Sequence, residues 1–161
     1  MKRRLVMLFL AGMCLVGLLG LLATHPANAE PVTYWLNLGG ISAHDRGHHN
    51  GFNPGVGIEV RTSDAWAFFG GAYRNSDWRT SRYLGVNFTP WRLPLSAAKV
   101  HVGIQAGAMD GYPLRNGGAF PAAALVADVR FPRTALQLTY LPRVEAFKNA
   151  NTLALAFKVR F

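Results

Sequence analysis

Apolar and polar residues alternate with a period of two along most of the chain beyond residue 31. Successive side chains of an extended strand point to opposite faces, so this period predicts β-strands with one apolar face. Two segments, 65–73 and 119–130, alternate less cleanly, and we assign them as strands from their length and their β-compatible composition. The predicted strands are residues 32–42, 55–61, 65–73, 83–88, 100–107, 119–130, 136–140 and 152–161.

The connections between these segments are alternately short and long. Eight antiparallel strands place both ends of the chain on one side, so the short connections share that side and the longer, polar ones share the other. The short connections are residues 62–64, 92–97 and 131–133, and the longer ones are residues 45–53, 74–79, 110–118 and 142–150.

The face opposite the apolar one carries Gly, Asn, Gln, Thr and His with few charges. A membrane barrel turns its apolar face outward to lipid, and these strands are too short to cross as helices. The pattern therefore favours an all-β fold, an eight-stranded antiparallel up-and-down transmembrane β-barrel, whose closing strand ends on the aromatic Phe161. A soluble eight-stranded sandwich or lipocalin-like barrel, with the apolar face inward, is the alternative left open.

Glycine recurs on the predicted lumen face. Eight strands enclose an interior only just wide enough for side chains or one slim ligand. Because glycine leaves volume unfilled, we expect a narrow slot beside Gly85 and Gly103, and we expect Met at either position to fill it while the barrel still folds. The glycines of this face are Gly39, Gly55, Gly57, Gly85, Gly103 and Gly107.

The first 29 residues have the layout of a secretory signal peptide. Three basic residues at 2–4 precede an apolar run at 5–22, and the small-x-small triplet at 27–29 is a cleavage site. This predicts a cleavable signal peptide at 1–29 and a barrel domain at 30–161, exported to the outer membrane of a Gram-negative cell. An uncleaved apolar anchor is the alternative. The only cysteine, Cys14, falls in the removed part, so the mature domain forms no disulfide.

The mature domain would be basic. Removal of residues 1–29 leaves 132 of the 161 residues, with 14 Lys or Arg against eight Asp or Glu, a balance that suits an anionic partner. No nucleic-acid-binding motif is present, so membrane lipid is the expected partner. Guanidinium groups match the phosphates of lipopolysaccharide, although a generic basic rim explains the charge equally well. The basic residues in or beside the longer loops are Arg46, Arg74, Arg79, Arg82, Arg115, Arg143 and Lys148.

Five stretches, spread over nearly all of the mature chain, resemble the outer-membrane lipid A palmitoyltransferase family (PagP) in order and spacing. They are residues 42–44 (Ser-Ala-His), 53–57 (Asn-Pro-Gly-Val-Gly), 72–76 (Ala-Tyr-Arg-Asn-Ser), 136–142 (Leu-Gln-Leu-Thr-Tyr-Leu-Pro) and 157–161 (Phe-Lys-Val-Arg-Phe). The resemblance implies an acyl chain held in the lumen and lateral openings near prolines that admit lipid. It implies that Pro54 and Pro142 mark these openings, whereas the family's proline in the sixth strand corresponds to Leu125.

The resemblance also assigns reacting groups at the outer rim. The family requires a His, an Asp and a Ser, and the matching positions are His44, Asn75 and Ser76. Asn75 departs from the family, because an amide cannot become the anion that orients a protonated imidazole. Asp45 and Asp77 stand next to these positions and are candidate replacements for the carboxylate.

Acyl transfer from an ester to a sugar hydroxyl needs a base for the hydroxyl proton and donors for the oxyanion. His44 is the candidate base, Ser76 the candidate nucleophile or oxyanion donor, and Asn75 a candidate donor through its amide. A rim histidine bonded to water or backbone is the alternative for His44. Three histidines, at 44, 48 and 49, also suggest zinc, but no fourth ligand of fixed spacing appears, and we expect no metal or other cofactor.

Two hypotheses follow. The first is a monomeric lipid A acyltransferase that moves an acyl chain from a phospholipid to lipid A at the outer leaflet, with Arg46, Arg74 and Arg79 near the lipid phosphates. The second is a non-enzymatic small outer-membrane β-barrel whose exposed basic loops modify the cell surface.

Overall fold

The structure is a computed structural model, and it describes residues 31–144 and 150–161. The predicted signal peptide at 1–29 lies outside the described residues, as do Lys148 and the side chain of Arg115. In the described part of the chain, no helix has the length and apolar character needed to cross a membrane.

The strands form one closed antiparallel barrel. They are β1 (Thr33–His44), β2 (Phe52–Arg61), β3 (Trp66–Arg74), β4 (Thr80–Pro94), β5 (Lys99–Met109), β6 (Phe120–Arg130), β7 (Thr134–Leu141) and β8 (Thr152–Arg160). Each strand pairs with its neighbours in sequence, and β1 pairs with β8 to close the barrel. A single turn of 3₁₀ helix, Leu114–Gly117, lies between β5 and β6. The number, order and direction of the strands confirm the prediction.

The connections confirm the alternation of short and long. Short connections join β2 to β3, β4 to β5 and β6 to β7, all at the end of the barrel where β1 begins. We call this the turn end. The longer loops lie at the opposite end, which we call the rim.

Several strand ends differ from the prediction, most of all in β2 and β4. β2 begins at residue 52 instead of 55, and β4 continues to Pro94 through residues expected in a turn. Pro90 has no N–H for the ladder, so the register of β4 with β5 shifts between Phe88 and Trp91, and the strand continues beyond this irregularity.

The outside of the barrel is apolar. Val56, Ile58 and Leu84 are 57%, 51% and 67% exposed, whereas Glu59 and Asp128 are fully buried inside. This distribution is that of a barrel in lipid, because a soluble barrel buries its apolar face. The fold is therefore a transmembrane β-barrel, and the soluble alternative is wrong.

An ionic network fills the turn half of the lumen. Its five members, Glu59, Arg61, Asp128, Arg130 and Lys158, are each more than nine-tenths buried. Lys158 Nζ lies 2.8 Å from Glu59 Oε2 and 3.2 Å from Asp128 Oδ1. Arg61 Nη2 lies 2.6 Å from an oxygen of each of these two carboxylates, and Arg130 Nη2 lies 3.2 Å from Asp128 Oδ2. Each buried anion thus contacts at least two cations, which offsets the cost of removing it from water.

The charged groups of this layer come from even-numbered strands. β2, β6 and β8 provide the five charged groups, and Asn87 of β4 donates to Glu59 Oε2 at 2.9 Å. β3 and β7 present small residues at this level, Ala67 and Ala135, which are 1% and 2% exposed. β1 and β5 add the buried side chains of Trp35 and His101, which are paired in register with Glu59 and Asp128.

An aromatic column, Phe69, Tyr73, Tyr83, Tyr112 and Phe120, lies in the rim half. The Tyr83 ring centroid lies 5.9 Å from that of Phe69 and 5.7 Å from that of Tyr73. The ring centroids of Tyr112 and Phe120 are also 5.9 Å apart. Side chains thus project into both halves of the lumen, and those of the aromatic column are only partly buried.

Gly85 and Gly103 face the lumen, but they do not leave open space. A Cβ on Gly85 would meet the carbonyl oxygen of Ala106, and a Cβ on Gly103 would meet that of Phe88. Both contacts are with the backbone of the paired strand. The expectation that Met at either position enters a cavity and leaves the barrel folded is therefore wrong, because glycine here permits the close approach of two strands.

We expect Gly103→Ala to prevent barrel folding, because even one methyl group collides with the β4 backbone. Gly70→Ala is the matched control. Its Cβ would lie 3.3 Å from the carbonyl oxygen of Tyr83 and 3.7 Å from Cβ of Leu84, distances that small movements accommodate. Gel migration before and after boiling reports the folded barrel in each variant. Normal folding of Gly103→Ala would contradict this account of the glycines.

We expect Lys158→Met to destabilise the barrel by about 3–5 kcal/mol, because it keeps the side-chain length but removes the charge-assisted hydrogen bonds that Lys158 Nζ donates to two buried carboxylates. Urea unfolding of the barrel in detergent micelles, followed by tryptophan fluorescence, measures the loss. Arg160→Met, an exposed position on the same strand, should change the free energy of unfolding by less than about 0.5 kcal/mol. Equal effects of the two substitutions would show that the network contributes no more than a surface charge.

Candidate functional site

His44 and Ser76 meet at the rim. His44 is the last residue of β1, and Ser76 follows it by 32 residues, in the loop between β3 and β4. The His44 Nε2 and Ser76 Oγ atoms are 3.0 Å apart. The structure thus brings together two of the predicted site residues as a hydrogen-bonded base and hydroxyl, which we call the dyad.

Asn50 fixes the two loops that carry the dyad. It is 4% exposed, and its backbone N–H donates to the Ser76 carbonyl at 2.9 Å. Its side-chain amide donates to the carbonyl of Asn75 at 3.3 Å and accepts from the N–H of Phe52 at 3.1 Å. The β1–β2 loop is therefore joined to the β3–β4 loop, and this sets the position of Ser76 relative to His44.

Asn75 is fully buried and shapes the β3–β4 loop. Its Oδ1 accepts from the N–H groups of Asp77 at 2.9 Å and Arg79 at 3.0 Å, the arrangement of an Asx turn. Its Nδ2 donates to Ser81 Oγ at 2.9 Å and to the Gly111 carbonyl at 3.2 Å. Both amide hydrogens are engaged, so the geometry gives Asn75 a structural role where we predicted an oxyanion donor.

His49 and Asp77 lie beside the dyad. The ring centroids of His44 and His49 are 4.5 Å apart. His49 Nδ1 lies 3.7 Å from Asp77 Oδ1, and the two side chains are 27% and 30% exposed. Asp77 is therefore the carboxylate on the dyad side, and His49 connects it to His44.

Asp45 is hydrogen-bonded to Asn151, which directly precedes β8, the strand paired with β1 on the other side. Its Oδ1 accepts from the backbone N–H of Asn151 at 3.0 Å, and its Oδ2 accepts from the Asn151 amide at 2.6 Å. Hydrogen bonds from Asn151 are the main cause that holds the pKa of the Asp45 carboxyl below its usual value. Asp45 thus anchors its loop to the start of β8 and does not replace the aspartate of the resemblance.

Tyr112 is a member of the site that the sequence analysis missed. Burial raises the pKa of its hydroxyl, so the group keeps its proton at neutral pH, while hydrogen bonds with Tyr73 and Ser76 oppose the rise. The Tyr73 and Tyr112 hydroxyls are 2.8 Å apart. These contacts extend the dyad into the aromatic column and hold Ser76 in place. An aromatic residue within a polar loop was the one signal available in the sequence.

The arginines predicted near the lipid phosphates, Arg46, Arg74 and Arg79, are exposed at the rim. The Arg74 guanidinium lies 5.3 Å from the centroid of the Trp78 ring, and Trp78 is itself 57% exposed. Arg46 Nε lies 3.4 Å from Asp45 Oδ1, in a pair that solvent screens. Arg79 is fixed through its backbone N–H, which leaves its side chain exposed.

Pro54 and Pro142 coincide with irregularities in the barrel wall. Pro54 lies in β2 beside the register shift of β1 at residue 39. Pro142 directly follows β7. The ladder between β6 and β7 ends at the pair Leu125–Tyr140, although β6 continues toward the rim to Phe120. Proline cannot donate a ladder hydrogen bond, and both irregularities lie where the resemblance implies openings.

The two histidines of the β1–β2 loop, His48 and His49, do not both lie near His44. His48 is exposed, whereas His49 stacks on His44. Within residues 31–144 and 150–161, no group of three His, Cys, Asp or Glu side chains is placed to hold a metal ion. The arrangement of the site is that of an acid–base dyad.

Comparisons with known proteins identify the fold. No protein-family model matches the chain, and no curated protein matches it. A solved structure titled "De novo design of transmembrane beta-barrels" aligns over its whole length with 83% of this chain, with a TM-score of 0.57 and 14% sequence identity. At this identity the likeness shows the fold alone, a transmembrane β-barrel, and any function must be argued from the site itself.

We expect Asn75→Asp to destabilise the barrel by about 1–3 kcal/mol, because the new carboxylate oxygen faces the Gly111 carbonyl and the Ser81 hydroxyl loses its donor. Asp77→Asn exchanges the same two side-chain types in the opposite direction at a half-exposed position and should cost less than about 0.5 kcal/mol. Urea unfolding compares the two. A stable Asn75→Asp barrel would show that the loop does not need the amide.

Proposed function

We propose that this protein is an outer-membrane acyltransferase that moves an acyl chain from a phospholipid to lipid A. The observation that carries the proposal is the 3.0 Å hydrogen bond between His44 Nε2 and Ser76 Oγ. A neutral imidazole nitrogen at this distance accepts the hydroxyl proton while the oxygen attacks a carbonyl carbon.

In the first half of the reaction, Ser76 Oγ attacks the ester carbonyl of the phospholipid and its proton moves to His44. The bond from the acyl carbon to the glycerol oxygen then breaks, and His44 gives its proton to that oxygen. A lysophospholipid leaves, and the acyl chain remains as an ester on Ser76.

In the second half, a hydroxyl of lipid A attacks the acyl carbonyl and loses its proton to His44. The bond from the acyl carbon to Ser76 Oγ breaks, and His44 returns the proton to the serine. One phospholipid ester is consumed and one lipid A ester forms, so the cycle needs no cofactor.

The neighbours of the dyad support these steps. The Asp77 carboxylate, next to His49, favours the positive charge that His44 carries between proton transfers. Tyr112 orients Ser76 for attack. The exposed side chains of Arg46, Arg74 and Arg79 are suited to lipid phosphates in the outer leaflet.

The lipid chain reaches Ser76 from the bilayer, through the wall of the barrel. The end of the β6–β7 ladder supports an entry there. Phe120, in the part of β6 that pairs with β5, packs against Tyr112, and Tyr112 hydrogen-bonds with Ser76. Phe120 and Tyr112 thus lie between the end of the β6–β7 ladder and Ser76 of the dyad.

The proposed location follows from the transmembrane barrel and from the predicted signal peptide. We propose export across the inner membrane, cleavage after residue 29, and insertion as a monomer into the outer membrane of a Gram-negative cell. A barrel that closes within one chain leaves no unpaired strand edge for a second chain. Pairing of β1 with β8 closes this barrel.

The non-enzymatic surface barrel is the second candidate. The observation that favours it is the Asn75 side chain, whose amide is fully engaged in loop structure. On this proposal the rim loops act through their basic side chains, and the dyad has no chemical role.

We expect His44→Ala and Ser76→Ala each to lower acyl transfer by about 10²- to 10⁴-fold, because each removes one reacting group. Mass spectrometry of lipid A from cells with and without the expressed protein detects the added chain. Mass spectrometry of the protein detects the acyl group on Ser76.

His48→Ala is the matched control, since His48 is an exposed histidine of the same loop outside the dyad. It should retain full transfer, and all three variants should keep the gel shift on boiling that marks a folded barrel. Unchanged lipid A in cells with the wild-type protein, or full activity of Ser76→Ala, would favour the non-enzymatic barrel.

A further inference from the structure

The turn half of the lumen contains buried N–H groups that face no protein acceptor. Arg61 Nε, Arg61 Nη1, Arg130 Nε and Gln137 Nε2 are buried and unpaired among the described residues, and so are both ring nitrogens of His101. A bare buried donor costs about 1–3 kcal/mol. Groups of this kind in a folded protein face a water molecule or an ion.

These donors surround one carboxylate. Arg61 Nη2 and Arg130 Nη2 both contact Asp128 Oδ2, at 2.6 Å and 3.2 Å. In the strand register, Asp128 is paired with His101 on one side and with Gln137 on the other. The unpaired edges of two guanidinium groups, an imidazole and an amide thus lie at one level of the lumen.

The charge at this level is not balanced. The ionic network holds three cations, Arg61, Arg130 and Lys158, against the two anions Glu59 and Asp128. The adjacent Arg92–Asp64 pair, 2.9 Å apart, adds no net charge. One positive charge therefore stays uncompensated in a region that is almost entirely removed from solvent.

The unpaired N–H groups also outnumber the unpaired acceptors, even when one of the two His101 ring nitrogens is counted as an acceptor, as it is in a neutral imidazole. The buried oxygens without a hydrogen bond at this level are Asn37 Oδ1, Asn87 Oδ1 and Glu59 Oε1, and the last is already 2.6 Å from Arg61 Nη2. Water supplies as many donors as acceptors, so water alone leaves the excess of N–H groups and the positive charge unmatched. A ligand that only accepts hydrogen bonds and carries one negative charge matches both.

We propose that the turn half of the lumen binds a small monovalent inorganic anion, of the size of chloride, between Arg61, Arg130 and His101. The site is independent of the proposed acyl transfer, because it lies at the opposite end of the barrel from the dyad. The anion completes the network that joins β2, β6 and β8, so its loss loosens the turn end and leaves the rim intact.

Bromide in place of chloride tests the site directly, because bromine is located by anomalous X-ray scattering. Crystals of the folded barrel grown in bromide should show an anomalous peak inside the lumen, within about 3.5 Å of an Arg61 or Arg130 nitrogen. The absence of such a peak, with water in its place, would overturn the proposal whatever the variants do.

Two variants separate a built site from a chance ion. Arg130→Met removes a charge and the unpaired Nε, so the peak should be lost. Arg133→Met, an exposed position at the same end, should keep it. If Arg130→Met does not fold, Gln137→Leu removes a neutral donor and should lower the occupancy. A peak that is unchanged in whichever of these two lumen variants folds would contradict the assignment.

A second measurement uses the protein in detergent. The midpoint of thermal unfolding should rise by several degrees when sodium chloride replaces sodium gluconate at equal ionic strength, because the native state alone binds the anion. Arg133→Met should keep this shift. Equal midpoints in the two salts would count against a bound anion, since gluconate is too large for the lumen.

Discussion

The barrel depends on the carboxylate of Asp128. This group is fully buried, and it accepts charge-assisted hydrogen bonds from Arg61, Arg130 and Lys158, which belong to three different strands. Burial of a charge is unfavourable unless it is paired, and Asp128 is paired with residues that are up to 67 positions away in sequence. The network can form only when β2, β6 and β8 are in their final register. It therefore makes correct closure of the barrel a condition for burying these charges.

The same division of the lumen positions the site at the rim. Because the ionic network occupies the turn half, the aromatic column is confined to the rim half, and its last member, Tyr112, contacts Ser76. The dyad thus lies next to the aromatic column, at the end of the barrel opposite the ionic network.

The two-residue period was enough to predict eight strands, their direction, and the placement of short and long connections. Every strand must choose one face for lipid, and that choice is visible in a single sequence. The same reasoning placed His44 and Ser76 at the rim. It misjudged Gly85 and Gly103, because a sequence shows that a side chain is missing and not what lies beyond the Cα. It also ended β4 too early, since the effect of Pro90 depends on where the partner strand offers its next hydrogen bond.

What the sequence determined by itself is the membrane barrel, because lipid imposes the same outward requirement on every strand independently of its neighbours. What only the tertiary structure decided is the set of partners across the lumen. Whether Asn75 donates to an oxyanion or to the Gly111 carbonyl, and whether Asp45 or Asp77 lies beside His44, depends on how separate loops meet at the rim. Those contacts join residues from non-neighbouring strands, and no local period in the sequence records the distance between them.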